Sequence, residues 1–279
     1  MCGQWFVRPA YPLIQLDHVI NDSTPPSTNV TICEDLAAGV TQNTAMRLTP
    51  ICVGIARLRS DAGRLLGTSC CEDDIHKVFD YALEVNALLE SWAQSVGDDW
   101  HWVAADHFKT PLGLPKSMFS YRGRMDIYYD IHMVGVWNFF RTKCIIVLSI
   151  LLDCIAALDL SFGGTWQDLK RVAIHKLQDL ADDICGTVPL ILGTRMHLGL
   201  EGGPAIEYPY VNNQKVTEEH RRSAVNVGGW KLIEPHQQPL KTVANIPYLR
   251  EGQKEWLLAQ YARILRIYKI TAADSQSSR

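Results

Sequence analysis

The stretch Tyr128-Tyr129-Asp130-Ile131-His132-Met133-Val134-Gly135-Val136-Trp137-Asn138-Phe139-Phe140-Arg141 decides the fold, and it runs on into Cys144-Ile145-Ile146-Val147-Leu148-Ser149-Ile150-Leu151-Leu152. No Pro or helix-ending signal interrupts it, so it reads as one long helix that is apolar around most of its circumference. A helix of that kind belongs in the middle of an all-helical core. Asp130, Asn138 and Arg141 recur at helical spacing along it. Polar groups carried into a core must find partners there, so these residues are expected to fix how neighbouring helices dock.

Outward from this helix the apolar residues keep stepping by three and four. Ile51, Ile55, Leu58, Ala62 and Leu65 form one stripe, preceded by a break near Pro50. The clearest helix begins at Glu72-Asp73-Asp74, where the helix dipole favours negative charge, and carries Ile75, Val78, Phe79, Ala82, Leu89 and Trp92 on one face. Asp98-Asp99-Trp100-His101-Trp102 closes it, and a loop with Pro111, Gly113 and Pro115 leads to the long helix. Gly163-Gly164-Thr165 ends the long helix, with Thr165 as the expected N-cap of the next. That helix carries Leu169, Val172, Ala173, Leu177, Leu180, Ala181 and Ile184 and is expected to stop before Pro189. A last helix spans about 251 to 270. No alternating strand pattern and no internal repeat is evident.

The expected organisation is therefore all-α: a single helical domain around a long buried central helix. Residues 1–34, rich in Pro, Ser, Thr and Asn, read as an irregular N-terminal arm. Residues 35–270 form the helical domain, within which 193–245, with its many Gly and several Pro, reads as a long loop or insertion. Residues 271–279 read as a frayed polar tail.

Composition narrows the function classes. The chain has 279 residues, 47% of them hydrophobic and 20% charged, which supplies a sizeable core. A net charge of −3 argues against a dedicated nucleic-acid surface, since phosphate binding needs clustered Lys and Arg. Met1–Leu13 contains Arg8, Pro9 and Pro12 and no apolar core, so it does not read as a signal peptide, and the eight cysteines are expected to be reduced thiols. From Cys144 to Leu158 the one charge is Asp153, but the stretch is shorter than the roughly 20 residues a membrane span requires. Asp153 near its middle would also cost about 3 kcal/mol in lipid.

Candidate chemistry is sparse. Asp126, Asp130 and His132 form a string in which the two acids would share a helix face while His132 points away. That is poor geometry for three metal ligands, so structural polar contacts are the preferred reading. His101, Asp106 and His107 lie in a loop with irregular spacing, and a metal site there is the less favoured reading. Asp73-Asp74 and Asp182-Asp183 lack the third carboxylate of a diphosphate-binding motif and read as helix-start charge and a surface pair. G-x-S-x-G, Walker A and H-E-x-x-H patterns do not occur. Catalysis is accordingly not expected.

Several passages, in order, carry a family likeness: Ala82 to Trp92 with Asp98-Asp99-Trp100; Tyr129-Asp130, Trp137-Asn138 and Arg141; Ile184-Cys185 with Val188 to Gly193; Gly228-Gly229-Trp230 to Pro235 with Pro239-Leu240; and Ile246-Pro247 with Arg250 to Ile264. The chain resembles the C-terminal regulatory region, or middle homology region, of fungal binuclear zinc-cluster transcription factors. The resemblance implies an all-helical regulatory or effector-sensing domain in the nucleus, with Asp130, Trp137, Asn138 and Arg141 as its structural hallmark. It implies partners that are transcriptional co-regulators, a small-molecule effector or a second copy of the chain, and no membrane. Relatives also carry six cysteines with C-x2-C-x6-C spacing that bind zinc and dock on DNA. Here Cys70-Cys71 is the one close pair, so no cofactor and no direct DNA contact is expected of this chain. The competing expectation is an all-helical enzyme or small-molecule-binding protein unrelated to transcription.

Overall fold

The computed structural model describes residues 44–65, 71–105, 107–108, 115–128, 131–162, 166–194, 196–197, 205–206, 227–233 and 239–268. The chain is all-α. Among the described residues its helices are α1 (Thr49–Leu65), α2 (Glu72–Gln94), α3 (Ile131–Phe162), α4 (Gln167–Ile191), α5 (227–233), α6 (Pro239–Ala244) and α7 (Gln253–Tyr268). Among the described residues the strands are each two residues long. β1 (Val103–Ala104) pairs antiparallel with β3 (Asp126–Ile127), while β4 (Met196–His197) lies between β2 (His107–Phe108) and β5 (Ala205–Ile206).

Two compact units divide the chain. One comprises residues up to Val96 together with Ile146–Arg171; the other comprises Gly97–Ile145 together with Val172 onward. Helix α3 contributes residues to both. In the first unit α1 packs on α2, and Pro50 sits in the opening turn of α1, where a missing backbone N–H costs nothing. The stripe on α2 is buried as its spacing requires, through Ile75, Val78, Phe79, Ala82, Val85, Leu89 and Trp92. The Trp92 indole donates to the Thr44 carbonyl at 2.9 Å, and Arg47 donates to the Ser95 hydroxyl at 3.1 Å, tying the chain before α1 to the end of α2.

The long apolar helix is α3, and most of its residues from Val134 to Leu158 are buried. Asp153 lies on its exposed edge, which is how one carboxylate is tolerated in such a sequence. Two expectations need correction. Asp126 does not share a helix with His132: it belongs to β3, and α3 starts only at Ile131. Helix α4 does not stop before Pro189 but continues through it to Ile191. Proline in the final turn removes a single ladder bond, to the Cys185 carbonyl. The end is closed downstream by Leu192 N–H to Val188 O at 3.0 Å and Thr194 N–H to Pro189 O at 2.8 Å. Burial of Val188, Pro189, Leu190 and Ile191 holds this turn in place.

Within the 193–245 span the described residues include β4, β5, α5 and α6. Helix α5 reaches α4 through Gly228, where an added Cβ would come within 2.7 Å of the Ile191 carbonyl. The 1–34 arm, the 271–279 tail and the Thr165 cap lie outside the described residues.

Candidate functional site

Arg141 is 1% exposed, one of the largest fully buried side chains among the described residues, and everything around it follows from that burial. A guanidinium taken out of water must have its donors satisfied and its charge countered. Asn138, one turn earlier on α3, accepts from Arg141 Nη1 at 3.2 Å, and the Tyr128 hydroxyl accepts from Nη2 at 2.7 Å. The plane is bracketed by aromatic rings, with its carbon 4.8 Å from the Trp102 centroid, 5.6 Å from Trp137 and 5.9 Å from Tyr128. Such contacts favour a desolvated cation.

The countercharge comes from α4. Asp183 lies 3.4 Å from Arg141 Nε through one oxygen and 2.6 Å from Arg124 Nη2 through the other. Arg124 in turn donates to both oxygens of Asp126, at 3.2 and 3.1 Å. The result is an alternating chain of four charges, Asp126–Arg124–Asp183–Arg141, that joins β3, α4 and α3. Burial pushes the Asp126 carboxyl above its ordinary range, opposed first by its hydrogen bonds from Arg124. At Arg124 burial works against the charge, but the ion pairs with Asp126 and Asp183 outweigh it and raise the pKa. Burial also raises the Tyr128 phenol.

The seat of Asp126 depends on Gly186. An added Cβ at that position would lie 2.5 Å from Asp126 Oδ2 and 2.9 Å from its Cγ, so the carboxylate rests directly against the α4 backbone. The next residue, Thr187, accepts from the Asn138 amide at 2.9 Å and donates to the Ile184 carbonyl at 2.8 Å. On the same helix Asp182 accepts from Arg250 Nε at 2.9 Å and from Gln253 at 2.8 Å, while Asp179 accepts from Arg250 Nη2 at 2.9 Å. Burial pushes the Cys185 thiol up to about 12. Residues 179–187 of α4 therefore form a hub to which β3, α3 and the start of α7 are each attached by different side chains.

Of the hallmark residues, Trp137, Asn138 and Arg141 meet in this cluster. Asp130 lies outside the described residues. Trp137 is 4% exposed, donates to the Trp100 carbonyl at 2.8 Å, and packs edge-on against Trp102 and Phe140. Asp182-Asp183, expected as a surface pair, is instead divided between Arg250 on one side and Arg124 with Arg141 on the other. Tyr128, Arg124, Asp126, Thr187 and Gly186 were not singled out by sequence as members of the cluster around Arg141. The signal that could have found Asp183 was the requirement that a buried Arg have a carboxylate on a neighbouring apolar helix.

Of the metal candidates, His132 is exposed on α3 and apart from Asp126, and His107 stands opposite His197 in the β2–β4 register. Asp106 lies outside the described residues. Among the described residues no group of three or more His, Cys, Asp or Glu is arranged to hold a metal ion, and no helix is long and apolar enough to cross a membrane. Comparison of the chain with protein-family models, curated proteins and solved structures yields no match.

Proposed function

We propose that this chain is a non-catalytic regulatory or effector-sensing domain similar to the C-terminal region of fungal zinc-cluster transcription factors, acting in the nucleus. One observation carries the reading. The passages that bear the resemblance are scattered from Ala82 to Ile264, and several of them meet along α4. Trp100 meets Trp137, Asn138 and Arg141 meet Thr187 and Asp183, and Cys185 and Asp182 meet Gln253 and Arg250. Motifs that are weak singly gain weight when they build a single buried network. In that network each acid faces an arginine and the thiol is held protonated, an arrangement suited to fixing helices rather than to turning over a substrate.

In this role the domain answers to transcriptional co-regulators, to a small-molecule effector or to a second copy of itself. DNA contact and zinc belong to the reader that relatives carry. The test fuses the full chain to an unrelated DNA-binding domain and measures a reporter across growth conditions. The expected result is activation or repression of several-fold relative to the DNA-binding domain alone, lost on Arg141→Ala. A fusion that accumulates normally yet leaves the reporter unchanged under every condition overturns the proposal.

A further inference from the structure

Residues 115–128 cross the second unit with little regular structure of their own, a 3-10 turn at Lys116–Met118 and the two residues of β3. Side chains of the helices and of the segment itself hold them. The Trp256 indole and the Gln260 amide, both on α7, donate to the carbonyls of Ser117 and Met118 at 2.8 and 2.9 Å. Arg263 stacks 5.0 Å from the Phe119 ring. The Tyr121 hydroxyl donates to the Glu251 carbonyl at 3.0 Å. At the other end Arg124 grips Asp183, Asp126 lies against Gly186, and Tyr128 covers Arg141.

Between these two anchorages the segment carries three unfavourable features in seven residues, 120–126. The Ser120 hydroxyl is 1% exposed and makes no hydrogen bond among the described residues. Arg122 has a φ of 51° and Gly123 one of 78°, the succession of a type I′ turn, closed by Arg124 N–H to Tyr121 O at 3.1 Å. A long side chain at the first of these positions is strained, where Asn or Gly is the usual occupant. Asp126 is stripped of water, with Arg124 as its hydrogen-bonding partner. All three costs are incurred when the segment is seated and relieved when it lifts. Strain concentrated in this way marks segments that move. Among the described residues the helices beneath have no positive-φ position and no unpartnered buried hydroxyl, and they keep their own backbone ladders apart from the bond missing at Pro189.

We infer that residues 115–128 form a strap that disengages from α3, α4 and α7 as a unit while those helices stay folded. Release hydrates Ser120 and Asp126, relaxes the Arg122 turn, and opens Gly186, Asp183 and the Arg141 guanidinium to water. Asp183 is the latch, because the same carboxylate holds Arg124 of the strap and Arg141 of α3. The inference stands or falls independently of the transcriptional reading, since it concerns motion within the folded chain.

Hydrogen exchange read by mass spectrometry on the full chain tests it. The hydrogen-bonded strap amides of Phe119, Ser120 and Arg124 are expected to exchange about tenfold or more faster than those of Phe139–Thr142 in α3, as in local opening. Asp183→Asn is expected to speed the strap amides by about a further tenfold while leaving α3 protected, since a buried ion pair has lost one partner. Arg122→Asn, which suits the turn, is expected to slow them about fivefold, and it remains decisive if Asp183→Asn fails to fold. Strap amides that exchange at the α3 rate in the parent chain overturn the inference. So does an Arg122→Asn chain with an unchanged strap rate, or an Asp183→Asn chain in which strap and helices speed up together.

Discussion

Replacing Gly186 with Ala separates the effect of local helix propensity from that of tertiary contact, because the two predict opposite signs. Inside a helix, Gly→Ala ordinarily stabilises by about 0.5–1 kcal/mol. At Gly186 the new methyl would lie 2.5 Å from Asp126 Oδ2 and 3.1 Å from Arg124 Nε, so both partners must move. Overpacking of this kind costs about 1–3 kcal/mol. Losing a buried partner outright costs about 3–5 kcal/mol. Arg124 keeps Asp183, so the ion-pair loss is partial, and a net destabilisation of about 2–3 kcal/mol is expected. At roughly 2–4 °C per kcal/mol for a chain of this order of size, the midpoint should fall by about 5–10 °C. Gly63→Ala on α1 is the control, since nothing lies within 4 Å of its added Cβ, and it should raise stability by about 0.5–1 kcal/mol. The assay is urea and thermal denaturation followed by circular dichroism. In an Asp126→Ala background the clash is gone, and Gly186→Ala should become neutral or stabilising. An equal effect of Gly186→Ala in both backgrounds would refute the seating of Asp126 on α4.

Trp137→Ala should cost about 3–5 kcal/mol from lost packing alone and more from the orphaned Trp100 carbonyl, so much of the population should be unfolded in a melting experiment. A Trp137→Ala chain that melts like the parent would place the helix on the periphery. Stability should fall as pH rises above about 9, because burial raises both Tyr128 and Cys185 above their unfolded values. The unfolded chain releases those protons first, so stability present below the ordinary thiol value of 9.0 is lost toward a folded value of about 12, at a limiting slope near 1.4 kcal/mol per pH unit for each group. Denaturation midpoints that stay flat between pH 8 and 11 would contradict this. Thiol alkylation with peptide mapping at pH 8 should modify Cys71, which is exposed, well before Cys52, Cys144, Cys154 and Cys185, which are buried. Labelling of Cys185 at the rate of Cys71 would show that the α4 hub is open.

The helices were legible because helix formation is written locally. Stripes at three- and four-residue spacing on α2, α4 and α7, acids at the start of α2 and the unbroken apolar run of α3 are each properties of one short window. The same local logic identified Arg141 and Asn138 as polar groups carried into a core, and so required that they have partners. Which partners they take was beyond it. Arg141 meets Asp183 and Tyr128, Trp137 finds the carbonyl of Trp100 37 positions away, and Gln260 finds that of Met118 142 positions away. A side chain that satisfies a distant backbone carbonyl leaves no period in the sequence, because any Trp or Gln on the correct helix face serves. Pro189 shows the converse. Local rules end the helix there, yet burial of the final turn carries it to Ile191, since packing of four apolar residues outweighs one missing hydrogen bond. Sequence alone determined that this chain is helical and that Asn138 and Arg141 are carried into its core. Only the tertiary structure decided that one helix, α4, would collect their charges, because the pairing of charges depends on distances in space that no local spacing records.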